Sequence, residues 1–304
     1  MTTHMDLPLG PHLTMPQVGF GTYLIDDAAV EGAVLRALRA GYRHIDTAEA
    51  YRNEPGVGRA IGQAISDGAI ARDDVFVTTK LWPGNPQWGD ASKDYASTIR
   101  SFDTSLGLLG LDHLDLYLIH APFGGENRVE QWRALVDLRE SGKVRAIGVS
   151  NFTQAHIEEL TNAGLAMPDA NQIELHPWSQ KPELVGYLQS SSITTIAYSS
   201  LVPLSTWRID PGQDSAKTDE MRAATESPFR SQAKKYGVTE AQFLLRWAVQ
   251  QGFGVLPKTT NASRLTQNLD LHGFEIDSED MAEIATMDRG EGLAWATGDP
   301  TQTT

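Results

Sequence analysis

The chain of 304 residues contains no cysteine. Disulfides, thiolate catalysis and zinc sites of the cysteine type are therefore excluded. Basic residues are outnumbered, 25 Lys and Arg against 39 Asp and Glu, leaving a formal net charge of −14. Nucleic acid needs a basic face to neutralise its phosphates, so no such partner is expected. No apolar run approaches the ~18 residues of a membrane-spanning helix. The first residues, Met-Thr-Thr-His-Met-Asp, carry neither the basic nor the apolar stretch of a signal peptide. A soluble protein of the cytoplasm is the expectation. Absent too are a phosphate-binding P-loop, an H-E-x-x-H motif and any low-complexity tract or Ser/Gly-rich linker. One domain over residues 1–304 is expected, and no metal: His176 has no second candidate ligand at useful spacing.

What is present is an alternation. Short apolar runs at 18–21, 44–46, 75–79, 114–119, 144–149, 170–173, 194–197 and 254–256 read as strands. They lack polar alternation, as parallel strands buried on both faces do. Amphipathic stretches at 28–40, 99–109, 129–140 and 153–162 read as helices between them, with Gly41, Gly110, Gly142 and Gly164 where those helices should stop. Eight strands with intervening helices predict an α/β fold, the closed (β/α)8 TIM barrel. Residues 7–15, with a Gly-Pro turn between two apolar pairs, predict a short N-terminal β-hairpin closing the barrel bottom. Two long connections, 83–97 and 202–230, are expected as lids or pocket walls at the C-terminal face. Gly56-Val-Gly58-Arg-Ala-Ile-Gly62 has the wrong spacing for a dinucleotide fingerprint and is read as helix packing.

Three strand ends carry four reactive side chains: Asp46 with Tyr51 five residues on, Lys80, and His120. A barrel builds its active site from such strand ends. Buried together, Asp46 and Lys80 should pair, because an isolated buried charge is very costly. A cation beside a phenol stabilises phenolate and lowers the Tyr51 pKa from its reference near 10, which suits a general acid. His120 is placed to donate a hydrogen bond to a substrate oxygen. This is equipment for protonating a carbonyl as it is reduced.

The same stretches resemble the aldo-keto reductase superfamily, especially bacterial members similar to 2,5-diketo-D-gluconate reductases. The resemblance rests on Gly19-Phe-Gly-Thr22, Gly148-Val-Ser150-Asn151-Phe, Asn171-Gln172-Ile-Glu-Leu-His-Pro177 and Leu256-Pro-Lys258, in family order. It implies NADPH-dependent reduction of aldehydes and ketones, with Asp46, Tyr51, Lys80 and His120 as the catalytic four and Tyr51 as general acid. It also implies a cofactor site. Ser150, Asn151 and Gln172 resemble the residues that hold the nicotinamide carboxamide, and Tyr198 the aromatic that stacks on its ring. Ser199 and Leu201 would lie near the pyrophosphate, with Gly21, Thr22 and Asp46 also facing the cofactor. Lys258, Thr259, Thr260 and Arg264 resemble the 2′-phosphate grip, and Gln267 and Asn268 the adenine contacts. A Lys and an Arg at a strand-to-helix junction can neutralise a phosphate at a helix N-terminus.

The substrate is expected to be a small carbonyl compound, a keto-sugar or a small aldehyde, and the protein a monomer. Tyr23, Trp82, Phe123 and His120 are the expected pocket residues. Of seven tryptophans, Trp82, Trp88, Trp178, Trp207 and Trp295 fall on predicted loops or the tail, mostly at the barrel mouth, whereas Trp132 and Trp247 sit on apolar helix faces. The connection 83–97 looks longer than the family pattern, Ala121 stands where a bulky residue is common, and Ser200-Leu-Val-Pro replaces the usual Ser-Pro-Leu-Gly. The rival expectation is a regulatory subunit that binds NADPH to sense redox state with little turnover; an intact catalytic four argues against it.

Overall fold

A computed structural model describes residues 5–204, 227–290, 292–295 and 297–303. The hairpin comes first: β1 (Asp6–Leu9) and β2 (Leu13–Pro16) pair antiparallel, with Leu7 opposite Met15. Eight parallel strands follow: β3 (Phe20–Gly21), β4 (His44–Asp46), β5 (Phe76–Leu81), β6 (Leu114–Ile119), β7 (Val144–Ser150), β8 (Ala170–Glu174), β9 (Thr194–Tyr198) and β10 (Gly254–Val255). They hydrogen-bond in sequence order, and the ends of the sheet meet: Val18 bridges Val255 in parallel, and the Gly19 amide donates to the Val255 carbonyl at 2.8 Å. The sheet is a closed (β/α)8 barrel.

Period two along each strand decides what enters the lumen. Phe76, Thr78 and Lys80 climb one wall, Leu116, Leu118 and His120 the next, and Ala170, Gln172 and Glu174 a third; the register aligns them, Asp46 beside Thr78, Lys80 beside Leu118 and Glu174 beside Tyr198. The lower rungs are apolar. Phe76, Leu116, Leu118, Ala146, Ala170 and Ile196 form a cluster with Leu7, Leu9 and Met15 of the hairpin, which thus plugs the bottom as expected. Intervening rungs such as Val77, Tyr117, Ile119, Ile147 and Val149 point outward into the larger core shared with the helices.

The expected helices are present as Asp27–Ala40, Tyr95–Leu109, Arg128–Glu140 and Gln154–Asn162, and the first two end on Gly41 and Gly110 in the left-handed conformation. Asp26, Asp94 and Thr153 cap helix starts by accepting backbone amides. Sequence periodicity starts the second helix four residues late because Tyr95–Thr98 follows the cap without an apolar stripe. The Gly56 stretch lies on a further helix, Glu54–Ser66. A Cβ on Gly56 would stand 2.4 Å from Val30 Cγ1, and one on Gly58 2.5 Å from the Leu109 carbonyl, so these glycines let three helices touch. Residues 205–226 of the second long connection, Trp207 included, lie outside the described residues.

Candidate active site

The upper rungs converge in a cleft of about 940 Å³ at the C-terminal end of the barrel. At its base Lys80, fully buried, donates to Asp46 Oδ1 at 2.6 Å, to the Thr47 carbonyl at 2.8 Å and to the Tyr51 hydroxyl at 3.4 Å. These contacts use the three donors of an ammonium. Burial drives the Lys80 pKa down, and Asp46 resists that shift. The second oxygen of Asp46 accepts from Gln172 Nε2 at 2.8 Å. The buried pair is thus compensated on both sides, which such a pair requires.

Tyr51 owes its place to the chain after β4. Thr47 donates to Asn53 Oδ1 at 2.7 Å, and buried Asn53 donates to the carbonyls of Thr22 and Ile25. Between them the 3₁₀ turn Glu49–Tyr51 ends on Arg52 in the left-handed region, φ 56°. The Tyr51 ring stands edge-on to His120, centroids 5.5 Å apart. Burial pushes the His120 imidazole well below its usual range, and nearby Lys80 adds to the push. His120 is therefore neutral at neutral pH. Its Nδ1 is buried without a hydrogen-bond partner among the described residues.

Aromatic side chains box in this corner. Trp82 and Trp295 both meet His120 edge-on, at 5.8 and 6.1 Å; Trp88 stacks on Trp82 at 6.0 Å, and Phe123 packs against Trp82, Trp88 and Trp295. Tyr23 sits 5.0 Å from Tyr51. Trp82 is pinned from behind, its backbone amide donating to Glu49 Oε2 at 2.8 Å, and Lys93 pairs with the same carboxylate. The long connection 83–97, tied to Glu49 through Lys93, carries Trp88 to the cleft. Sequence reasoning missed Glu49 and Lys93, since an exposed-looking acid and base 44 residues apart give no signal. Trp178 does not join the mouth. It is buried, packed on Phe229 and under the Arg289 guanidinium at 4.0 Å. Trp132 and Trp247 are buried as expected.

The other wall holds hydroxyls and amides. Ser150 Oγ donates to the Gln172 carbonyl; Asn151 Nδ2 donates to Ser150 Oγ and to the His120 carbonyl, each at 3.0 Å; the Tyr198 hydroxyl donates to Asn151 Oδ1 at 2.7 Å. Asn151 and Ser199 adopt left-handed backbone, φ 64° and 58°. The cleft continues past Ser199 and Leu201 to Lys258, Thr259, Thr260, Arg264, Gln267 and Asn268, beside the helix Ala262–Leu269 capped by Asn261. Gly21, Tyr23, Asp46, Tyr51, Trp82 and His120 line it as well, so the predicted residues come together, with three exceptions. Thr22 is buried behind, its hydroxyl donating to the Asp46 carbonyl; Lys80 reaches the cleft only through Tyr51 and Asp46; Phe123 backs the tryptophans.

One long cleft with a hydroxyl-and-amide wall, a facing aromatic and a Lys/Arg end beside a helix N-terminus fits a dinucleotide phosphate. The Ser199 Oγ, buried in that cleft without a partner among the described residues, marks a place for an acceptor or donor from a ligand. The aldo/keto reductase family pattern matches residues 17–289. The chain belongs to the aldo/keto reductase family. It is 39% identical to an aldo-keto reductase of Mycolicibacterium smegmatis, over 92% of each chain. It is 35% identical to the NADPH-dependent D-xylose reductase of Meyerozyma guilliermondii, over 93% of this chain and 94% of that one. In structure it resembles an aldo-keto reductase of Bombyx mori in complex with NADP, TM-score 0.81 and 32% identity over 94% of this chain and 93% of that one. This aldo-keto reductase is accordingly an NADP-dependent oxidoreductase that reduces aldehydes and ketones to alcohols. The regulatory alternative finds no support in these comparisons.

Proposed function

We propose that Tyr51 is the general acid of this reduction, with Lys80, Asp46 and His120 completing the catalytic set. The observation that carries the proposal is the position of Lys80 Nζ, held by Asp46 Oδ1 at 2.6 Å and in reach of the Tyr51 hydroxyl at 3.4 Å. An ammonium can only donate. The Tyr51 oxygen therefore accepts from Lys80, and the phenol's own proton is not spent on that contact. As Tyr51 gives that proton to the substrate oxygen, the ammonium stabilises the phenolate that remains. Neutral His120 donates to the same oxygen and fixes the carbonyl between the two groups. Burial of Lys80 and Asp46 keeps water from weakening this field.

NADPH, when bound, supplies the hydride. Ser150, Asn151 and Gln172 would hold its carboxamide, Tyr198 its ring, Ser199 and Leu201 the neighbourhood of its pyrophosphate, with Gly21 and Asp46 facing it and Thr22 supporting Asp46 from behind. Lys258, Thr259, Thr260 and Arg264 would grip the 2′-phosphate, and Gln267 and Asn268 the adenine. Tyr23, Trp82, His120 and Phe123 would form the substrate side, joined by Trp88 and Trp295, which line the cleft and close the box around His120.

The substrate proposed is a small aldehyde or keto-sugar, whose carbonyl reaches Tyr51 while its carbon skeleton lies against the tryptophans. We also propose that residues 1–304 act as one domain, since one cleft draws side chains from strand ends around the whole barrel. A monomer in the cytoplasm agrees with a net charge of −14, which favours solubility. The test is a panel of aldehydes, ketones and keto-sugars followed by loss of NADPH absorbance. Turnover of small aldehydes or keto-sugars in preference to bulky ketones supports the reading; a preference for bulky ketones overturns the substrate class.

A further inference from the structure

The rung above Gln172 on β8 is Glu174, a carboxylate only 1% exposed at the rim of the lumen. What covers it is the segment 292–295 near the end of the chain. Glu174 Oε1 accepts the backbone amides of Leu293 at 2.6 Å and Ala294 at 3.0 Å, and Oε2 accepts Ala294 at 2.9 Å. His176 adds a fourth contact, Nε2 to Oε1 at 2.8 Å. The Trp178 amide donates to His176 Nδ1 at 3.3 Å, so Nε2 bears the proton and the ring donates to Glu174. A buried carboxylate with this many donors is a charge placed to capture passing backbone.

The captured backbone carries Trp295. Its indole Nε1 donates to the Tyr198 hydroxyl at 2.9 Å, and its ring stands edge-on to His120 at 6.1 Å and to Phe123 at 5.8 Å. Gly292 allows the approach: a Cβ there would lie 2.8 Å from Glu174 Oε2 and 2.9 Å from Asp299 Oδ2. Asp299 accepts the Gly292 amide at 2.8 Å and pairs with Lys181, so the segment is held from both sides.

We propose that Glu174 is a positioning residue for substrate selection, clamping the backbone at 293–294 so that Trp295 closes the pocket over His120. Glu174 touches neither substrate nor cofactor; it acts through Trp295. With the clamp intact the pocket is narrow and holds small carbonyl compounds well. With it loosened, small substrates lose a wall, while larger ones gain room. The proposal rests on the reading that His120 faces the substrate.

Glu174→Gln keeps the shape but sets an N–H group against backbone N–H groups. KM for propanal should then rise roughly five- to tenfold, the scale of one lost apolar contact. KM for 2-naphthaldehyde should stay or fall, with kcat for propanal within about twofold and thermal stability measured alongside. Trp295→Ala should give the same split, and Glu174→Gln added to Trp295→Ala should change nothing more, as for two residues acting as one unit. Gly292→Ala disturbs the clamp from the segment side with the barrel untouched. It should reproduce the split, and it decides the question if Glu174→Gln does not fold. Equal losses for both aldehydes, or an effect of Glu174→Gln that adds to that of Trp295→Ala, would overturn the proposal. A wild-type protein inert toward both aldehydes would instead indict the substrate reading.

Discussion

The two ends of the cleft hold their charges in opposite ways. At the Tyr51 end, Lys80 and Asp46 are buried, paired at 2.6 Å and hydrogen-bonded on both sides before any ligand arrives. At the far end Arg264, Thr260 and Gln267 are exposed and Lys258 half-buried. A group that must stabilise a transient charge gains from low dielectric and fixed geometry, and has to be stabilised by the fold itself. A group that grips a phosphate is completed by the ligand, so it can wait in water at little cost to stability. On the proposed roles, charge at one end would serve folding and chemistry, and at the other cofactor affinity.

The largest contrast should come from removing Lys80. Lys80→Met strands the Asp46 carboxylate, so unfolding free energy should fall by about 3–5 kcal/mol, along with most of the activity. Denaturant titration of both proteins measures it; a loss below about 1 kcal/mol would mean that the pair is not structurally needed. The matching change at the open end is smaller and of another kind. Arg264→Ala should leave the unfolding curve in place and weaken NADPH binding by about 1.5–3 kcal/mol. NADH affinity should hardly move. Equal losses for both cofactors in a binding titration would show that Arg264 does not read the 2′-phosphate.

The sequence announces these two ends unequally well. The short apolar runs gave the eight strands because parallel strands buried on both faces leave a local composition signal. Counting by twos from those runs puts Asp46, Lys80, His120 and Gln172 on lumen rungs. Tyr51 and Lys258 were legible for a related reason, each being a polar group just past an apolar strand. The clamp at Glu174 was not legible: its partners are backbone amides 119 and 120 residues away, which leave no side-chain signature. Nor was the fate of Trp178, whose position beside the strand-end motif suggests a mouth residue although Phe229 and Arg289 enclose it. Thr22 reads as a cofactor residue from its motif, yet its hydroxyl serves the backbone of Asp46. Local pattern finds rungs and strand ends; contacts made by distant backbone need the fold.

We propose that the buried end does the proton chemistry and the open end does not. Stopped-flow mixing of aldehyde with the NADPH-loaded enzyme, comparing wild type with Tyr51→Phe, tests it most directly when NADPH affinity is measured on the same samples. Tyr51→Phe should lose roughly 10²–10⁴-fold in the reduction rate, with the NADPH dissociation constant nearly unchanged. A Tyr51→Phe enzyme that keeps more than about a tenth of the rate, far above the range for a lost proton donor, would contradict it. So would one that loses its activity through failure to bind NADPH.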